Sequence, residues 1–148
     1  MRIMTSRFGQ VDVDDQRVIE FPRGLLGFPK YRKYVLIQPN DDGHFLWLQS
    51  IDTPELAFVV TDPSLFVQGY QVPLKEDQMQ EMGLKSIEQA QVLVIVNKRG
   101  SVLTGNLQGP LVIHTERRVG EQLVLSDRRF HTRTPLLDLG NTARAATA

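Results

Sequence analysis

The chain has 148 residues, 41% hydrophobic and 23% charged, with no cysteine. That size fits one domain able to bury roughly two-thirds of its unfolded surface, and the missing thiols exclude a disulfide framework, a thiolate metal site and a cysteine nucleophile. Lys plus Arg (17) balances Asp plus Glu (17), which argues against a domain that binds nucleic acid over its whole surface.

Residues 3–8 alternate, with Ile3, Thr5 and Arg7 opposing Met4, Ser6 and Phe8, the period of a half-buried strand ending at Gly9. Short β-branched or aromatic runs follow at Val18–Phe21, Tyr34–Gln38, Phe45–Ser50 and Ala57–Thr61, parted by turn signals. Asp62-Pro63 predicts a single helical turn with Asp62 as cap and Pro63 at its first position. Lys75–Met82, rich in Glu, Gln and Met and closed by Gly83, predicts one short helix. Gln91–Asn97 is continuously apolar, as expected of a strand covered on both faces. Val102–Asn106 and Leu111–Thr115 are two more strands. A hairpin centred on Val119-Gly120 then returns through Gln122–Ser126. The expected fold is mostly β: a compact, barrel-like antiparallel domain over residues 1–140 with one short helix. Trp47, Val94 and Leu123 belong to its single core, and 141–148 form a flexible C-terminal tail with nothing to bury.

No catalytic, metal or cofactor site is expected. His44, His114 and His131 lack any ligand spacing, and His114 ends an apolar strand as an edge or satisfied core residue. Ser126, Asp127 and His131 have no strained elbow to activate a serine. Gly105 and Gly109 lie between strands, without the following helix that a phosphate loop needs. No apolar leader or membrane-length run is present, so a cytoplasmic monomer is expected.

Three segments are more specific than this background. Phe21-Pro22-Arg23-Gly24-Leu25-Leu26-Gly27-Phe28 is a turn carrying apolar side chains where Asn, Asp or Ser are usual. Leu46-Trp47-Leu48-Gln49-Ser50 and Asn106-Leu107-Gln108-Gly109-Pro110-Leu111 are the others. Together with Phe58-Val59-Val60-Thr61-Asp62-Pro63 and Gly120-Glu121-Gln122-Leu123-Val124-Leu125, they resemble the FliW family of flagellar assembly factors, colinearly from Ile3 to Arg133.

The resemblance implies a non-enzymatic partner-switching regulator without a cofactor. It would bind newly made flagellin near the flagellin C-terminal region, and also the RNA-binding translational regulator CsrA, keeping CsrA off flagellin mRNA until flagellin accumulates. Phe21, Leu25, Leu26 and Phe28 are the flagellin candidates: either the turn, with Leu25 and Phe28 foremost, anchors an amphipathic helix in an apolar groove, or it folds back to plug one end of the barrel. Residues 41–97 carry two cations against nine acids. Asp41, Asp42, Glu55, Glu76, Asp77 and Glu81 are therefore the CsrA candidates, since an acidic face suits a basic partner. The alternative reading is a small β-barrel that binds single-stranded RNA, because Lys30-Tyr31-Arg32-Lys33-Tyr34 and Arg128-Arg129-Phe130-His131 interleave cations with aromatics.

Overall fold

The computed structural model describes residues 1–39 and 43–140; the predicted tail and the candidates Asp41 and Asp42 lie outside them. An N-terminal hairpin, β1 (Arg2–Thr5) with β2 (Gly9–Asp12), stands apart as a two-stranded sheet. The main sheet begins with β3 (Ile19–Glu20), β4 (Lys33–Ile37), β5 (Leu46–Ser50) and β6 (Ala57–Thr61), each antiparallel to the next. A 3-10 turn at Pro63–Leu65, capped by the Asp62 carboxylate, leads to α1 (Glu76–Met82), which ends at Gly83 in the left-handed conformation. β7 (Ala90–Arg99), β8 (Val102–Gly105), β9 (Leu111–His114), β10 (Val119–Gln122) and β11 (Thr134–Asp138) complete it.

β7 organises the architecture because it is long enough to serve three neighbours. Its first half, Ala90–Leu93, pairs with β9, and its second half, Val96–Arg99, pairs with β8. Its opposite edge takes β6 at Val94–Val96. Since β9 reaches β10 and β10 reaches β3, the run of seven strands from β7 through β6, β5, β4, β3, β10 and β9 returns to β7 as a ring. β8 and β11 extend the sheet outside that ring. The seam between β3 and β10 is parallel, whereas the sequence predicts an antiparallel barrel throughout, and it rests on the single register pair Val119–Glu20.

Alternation decides which side chains fill the ring. Leu48, Val60, Leu93, Leu111 and Ile113 point inward, with Ile19, Phe21, Leu25 and Tyr34. Phe21 and Tyr34 meet edge to face at 5.6 Å between ring centres. A second cluster, Met82, Leu84, Val112, Leu123 and Leu125, packs α1 on the outer wall. A third, Ile3, Val13 and Val35, seats the N-terminal hairpin. The predicted single core is thus three clusters. Val94 and Leu123 are buried as expected, but Trp47 is only half-buried. Leu46 and Leu48 take the inward positions of β5 and leave Trp47 outside, under the Arg7 guanidinium at 4.0 Å.

Two strands escape the sequence reading. β2 shows no apolar alternation and is held by its hairpin partner. β11 contains Pro135 and a register shift between Pro135 and Leu137, both tolerated because it is an edge strand. The last hairpin turns at Thr115–Arg118 rather than at Val119-Gly120, which lie inside β10.

Candidate functional site

The apolar turn is divided between core and surface. Gly24, at φ 68°, brings the chain so close to itself that a Cβ would sit 2.6 Å from the Pro29 Cα. The Phe28 N–H donates to the Leu25 carbonyl at 2.8 Å and closes the loop. Phe21 (0% exposed) and Leu25 (2%) are core residues, while Leu26 (57%) stands in solvent. Phe28 is half-buried and packs edge to face on Phe58 at 5.3 Å. Leu25 is therefore not the exposed member that the sequence suggests, and Phe21 is not exposed either. Withdrawing either side chain toward a partner would cost about 1.5–3 kcal/mol. The accessible apolar contact on this turn is Leu26, with the free edge of Phe28.

The other two motifs work as scaffolding. Gln49 is fully buried, and its Nε2 donates toward the carbonyls of Ser50, Thr53, Pro54 and Leu56 at 3.0–3.4 Å, which ties down the 51–56 loop carrying exposed Glu55. Gln122 spans the remaining two segments: its Oε1 accepts the Leu26 N–H at 2.8 Å and its Nε2 donates to the Gly109 carbonyl at 2.9 Å. A Cβ at Gly109 would lie 2.8 Å from the Asn106 side-chain nitrogen and 3.1 Å from that of Gln122, so a side chain there must displace the bridge.

Among the acidic candidates, Glu76, Asp77 and Glu81 lie exposed on α1, and Glu55 lies on its separate loop. They do not share one element. Glu81 has a partner: Arg23 donates to Glu81 at 3.3 Å and to Glu121 at 2.7 Å. Arg23 thus fastens the apolar turn to both α1 and β10. The two surfaces that the sequence suggests separately meet at this residue, which also lines a small cleft with Pro22, Met82 and Val119.

A larger groove, about 870 Å³, was not anticipated. Val72, Leu74, Ala90, Val92 and Phe130 line it, with exposed Ile87 at its edge. Tyr70 sets its position by donating to the Leu107 carbonyl at 2.6 Å, and burial pushes the Tyr70 phenol up to about 12. On its rim, Arg129 grips Asp127 at 2.7 Å, and those hydrogen bonds hold the Asp127 carboxyl down at about 2. Residues 67–74 carry no strand periodicity, so only the tertiary packing reveals the groove.

The aromatics of the two cation-rich runs are occupied. Tyr34 is in the core, Tyr31 packs against it, and Phe130 lies edge to face on Tyr70 at 4.8 Å with Arg129 over its ring. His114 is a satisfied core residue whose Nδ1 accepts the Glu116 and Arg117 N–H groups at 3.2 Å. No helix of the described residues is long and apolar enough to cross a membrane.

The sequence model of the family described as FliW protein matches residues 2–136. The chain belongs to the FliW family. It is 36% identical over 141 residues to the "Flagellar assembly factor FliW" of Leptospira interrogans serovar Lai, covering 93% of this chain and 94% of that one. It is 35% identical to the protein of the same description from Natranaerobius thermophilus, covering 99% of both. A crystal structure of the flagellar assembly factor FliW superposes with a TM-score of 0.85 at 28% identity, over 93% of this chain and 97% of that one. The closed ring and its flanking strands are therefore the FliW fold.

Proposed function

We propose that this FliW-family chain acts without catalysis as a cytoplasmic partner-switching factor. It binds flagellin near the flagellin C-terminal region, and it antagonises the translational regulator CsrA. The carrying observation is the family match across nearly the whole described chain. The structure adds a physical basis for exclusivity. The Leu26–Phe28 edge offers apolar contact, α1 offers Glu76 and Asp77, and Arg23 binds the two elements together. A partner that displaces Arg23 on one side disturbs the other. Mass action then suffices: flagellin at about 100 times its Kd shifts the competition by ~2.7 kcal/mol.

A gel-shift series with flagellin mRNA tests this. The protein alone leaves the RNA unshifted, CsrA shifts it, the protein reverses that shift, and added flagellin restores it. A direct, salt-sensitive shift by the protein alone would establish the RNA-binding reading instead. That reading loses support from the occupied faces of Tyr34 and Phe130.

A further inference from the structure

A second cleft, about 810 Å³, opens at the turn of the β9–β10 hairpin, between residues 14–18 and 115–118. Arg17, Arg117 and Arg118 line it. Arg118 Nη2 donates to the Arg17 backbone carbonyl at 2.9 Å, which holds the Arg118 guanidinium against the 14–18 segment. Among the described residues none of the three arginines is ion-paired, and Arg118 Nε is buried without a hydrogen-bond partner. Burial and the neighbouring Arg17 charge both push the Arg118 pKa down. Arg118 is also the one non-glycine residue at positive φ among those described, at 57°. Gly or Asn suits that backbone better. A guanidinium desolvated beside a second cation, an orphaned donor and a left-handed backbone thus coincide at Arg118.

We propose that this cleft receives a carboxylate side chain from an acidic segment of a partner protein. The guanidinium forks of Arg17 and Arg118 suit a planar carboxylate, which would neutralise the pair. Asp14, Asp15 and Glu116 also line the cleft. Asp14 accepts from the Gln16 N–H and Asp15 from the chain's terminal amine, and among the described residues none of the three carboxylates is ion-paired with an arginine. Their charge favours a singly charged ligand over a phosphate. No aromatic residue lines the cleft to stack a nucleobase. Neither surface of the proposed partner switch includes these arginines.

The full chain, labelled with nitrogen-15, is titrated with a tetraglutamate peptide, its tetraglutamine counterpart and inorganic phosphate at constant ionic strength. The Arg118 Nε–H resonance is expected to shift saturably with tetraglutamate and not with tetraglutamine, with phosphate binding weaker by about tenfold. Arg118→Gly, which fits the backbone, should keep or raise the Tm while weakening tetraglutamate by about tenfold or more, and Arg17→Gln should weaken it likewise. Saturable binding by phosphate at equal or better affinity overturns the proposal. So does the absence of saturable binding, or undiminished binding by Arg17→Gln. If Arg118→Gly lowers the Tm, the strain is not functional and Arg17→Gln alone decides.

Discussion

Leu25 and Leu26 are chemically identical neighbours with opposite roles. Leu25→Asp would place a charge in the ring core beside Ile19 and Phe21, so the variant is expected to be unfolded by urea at concentrations the parent tolerates. Leu26→Asp should stay within about 0.5 kcal/mol of parental stability, because its side chain already faces water. Flagellin affinity measured by calorimetry should nevertheless fall by about tenfold or more; unchanged affinity would remove the turn from the interface. Tyr34 makes a separate case. Its hydroxyl is buried without a partner, and burial first, then the neighbouring Tyr31, raises it to about 12. Tyr34→Phe keeps the ring contacts with Phe21 and Phe58 and removes the orphan. A gain of about 1 kcal/mol in denaturant unfolding is expected. A loss would mean that the hydroxyl has an ordered water to bond.

At the scale of elements, α1 carries the acidic contribution that can be tested as a unit. Exposed ion pairs give about 0–1 kcal/mol each, so single alanines at Glu76, Asp77 or Glu81 should change CsrA binding little. Reversing all three to Lys should slow CsrA association and flatten or invert its salt dependence in stopped-flow measurements. The Tm must be followed as well. Glu76 and Asp77 sit in the first turn of α1, where reversal costs about 0.3–1 kcal/mol each, and Glu81 loses Arg23. This helix, its Gly83 stop and the Asp62-Pro63 turn were legible in the sequence because capping chemistry is local. Strands β4–β9 were legible from period and turn residues. β2 and β11 were not, because partners rather than their own side chains hold them. The site was legible only as a list of residues. Which of Leu25 and Leu26 faces water depends on Gly24 folding the turn against Pro29, and Arg23's double pairing joins residues 58 and 98 positions apart.

For the whole molecule, one strand bears the closure. β7 touches β6, β8 and β9, and both its faces are covered around Leu93 and Val94. Hydrogen exchange should therefore find its slowest amides at residues 93–96, opening only with global unfolding. The β1–β2 hairpin should exchange far sooner through local opening, since only the small cluster around Ile3, Val13 and Val35 seats it. Equal protection in the two regions would mean that hairpin and ring unfold as one unit. The parallel seam, invisible to periodicity because β3 has two residues, is the weakest joint of the ring.

That seam has a consequence on the ribosome. Glu20 must wait for Val119 before the ring can shut. At about 5–20 residues per second, the 99 residues from 21 through 119 take roughly 5–20 s to synthesise. Throughout that interval β3 lacks its β10 partner, and its free edge is open to any nascent neighbour.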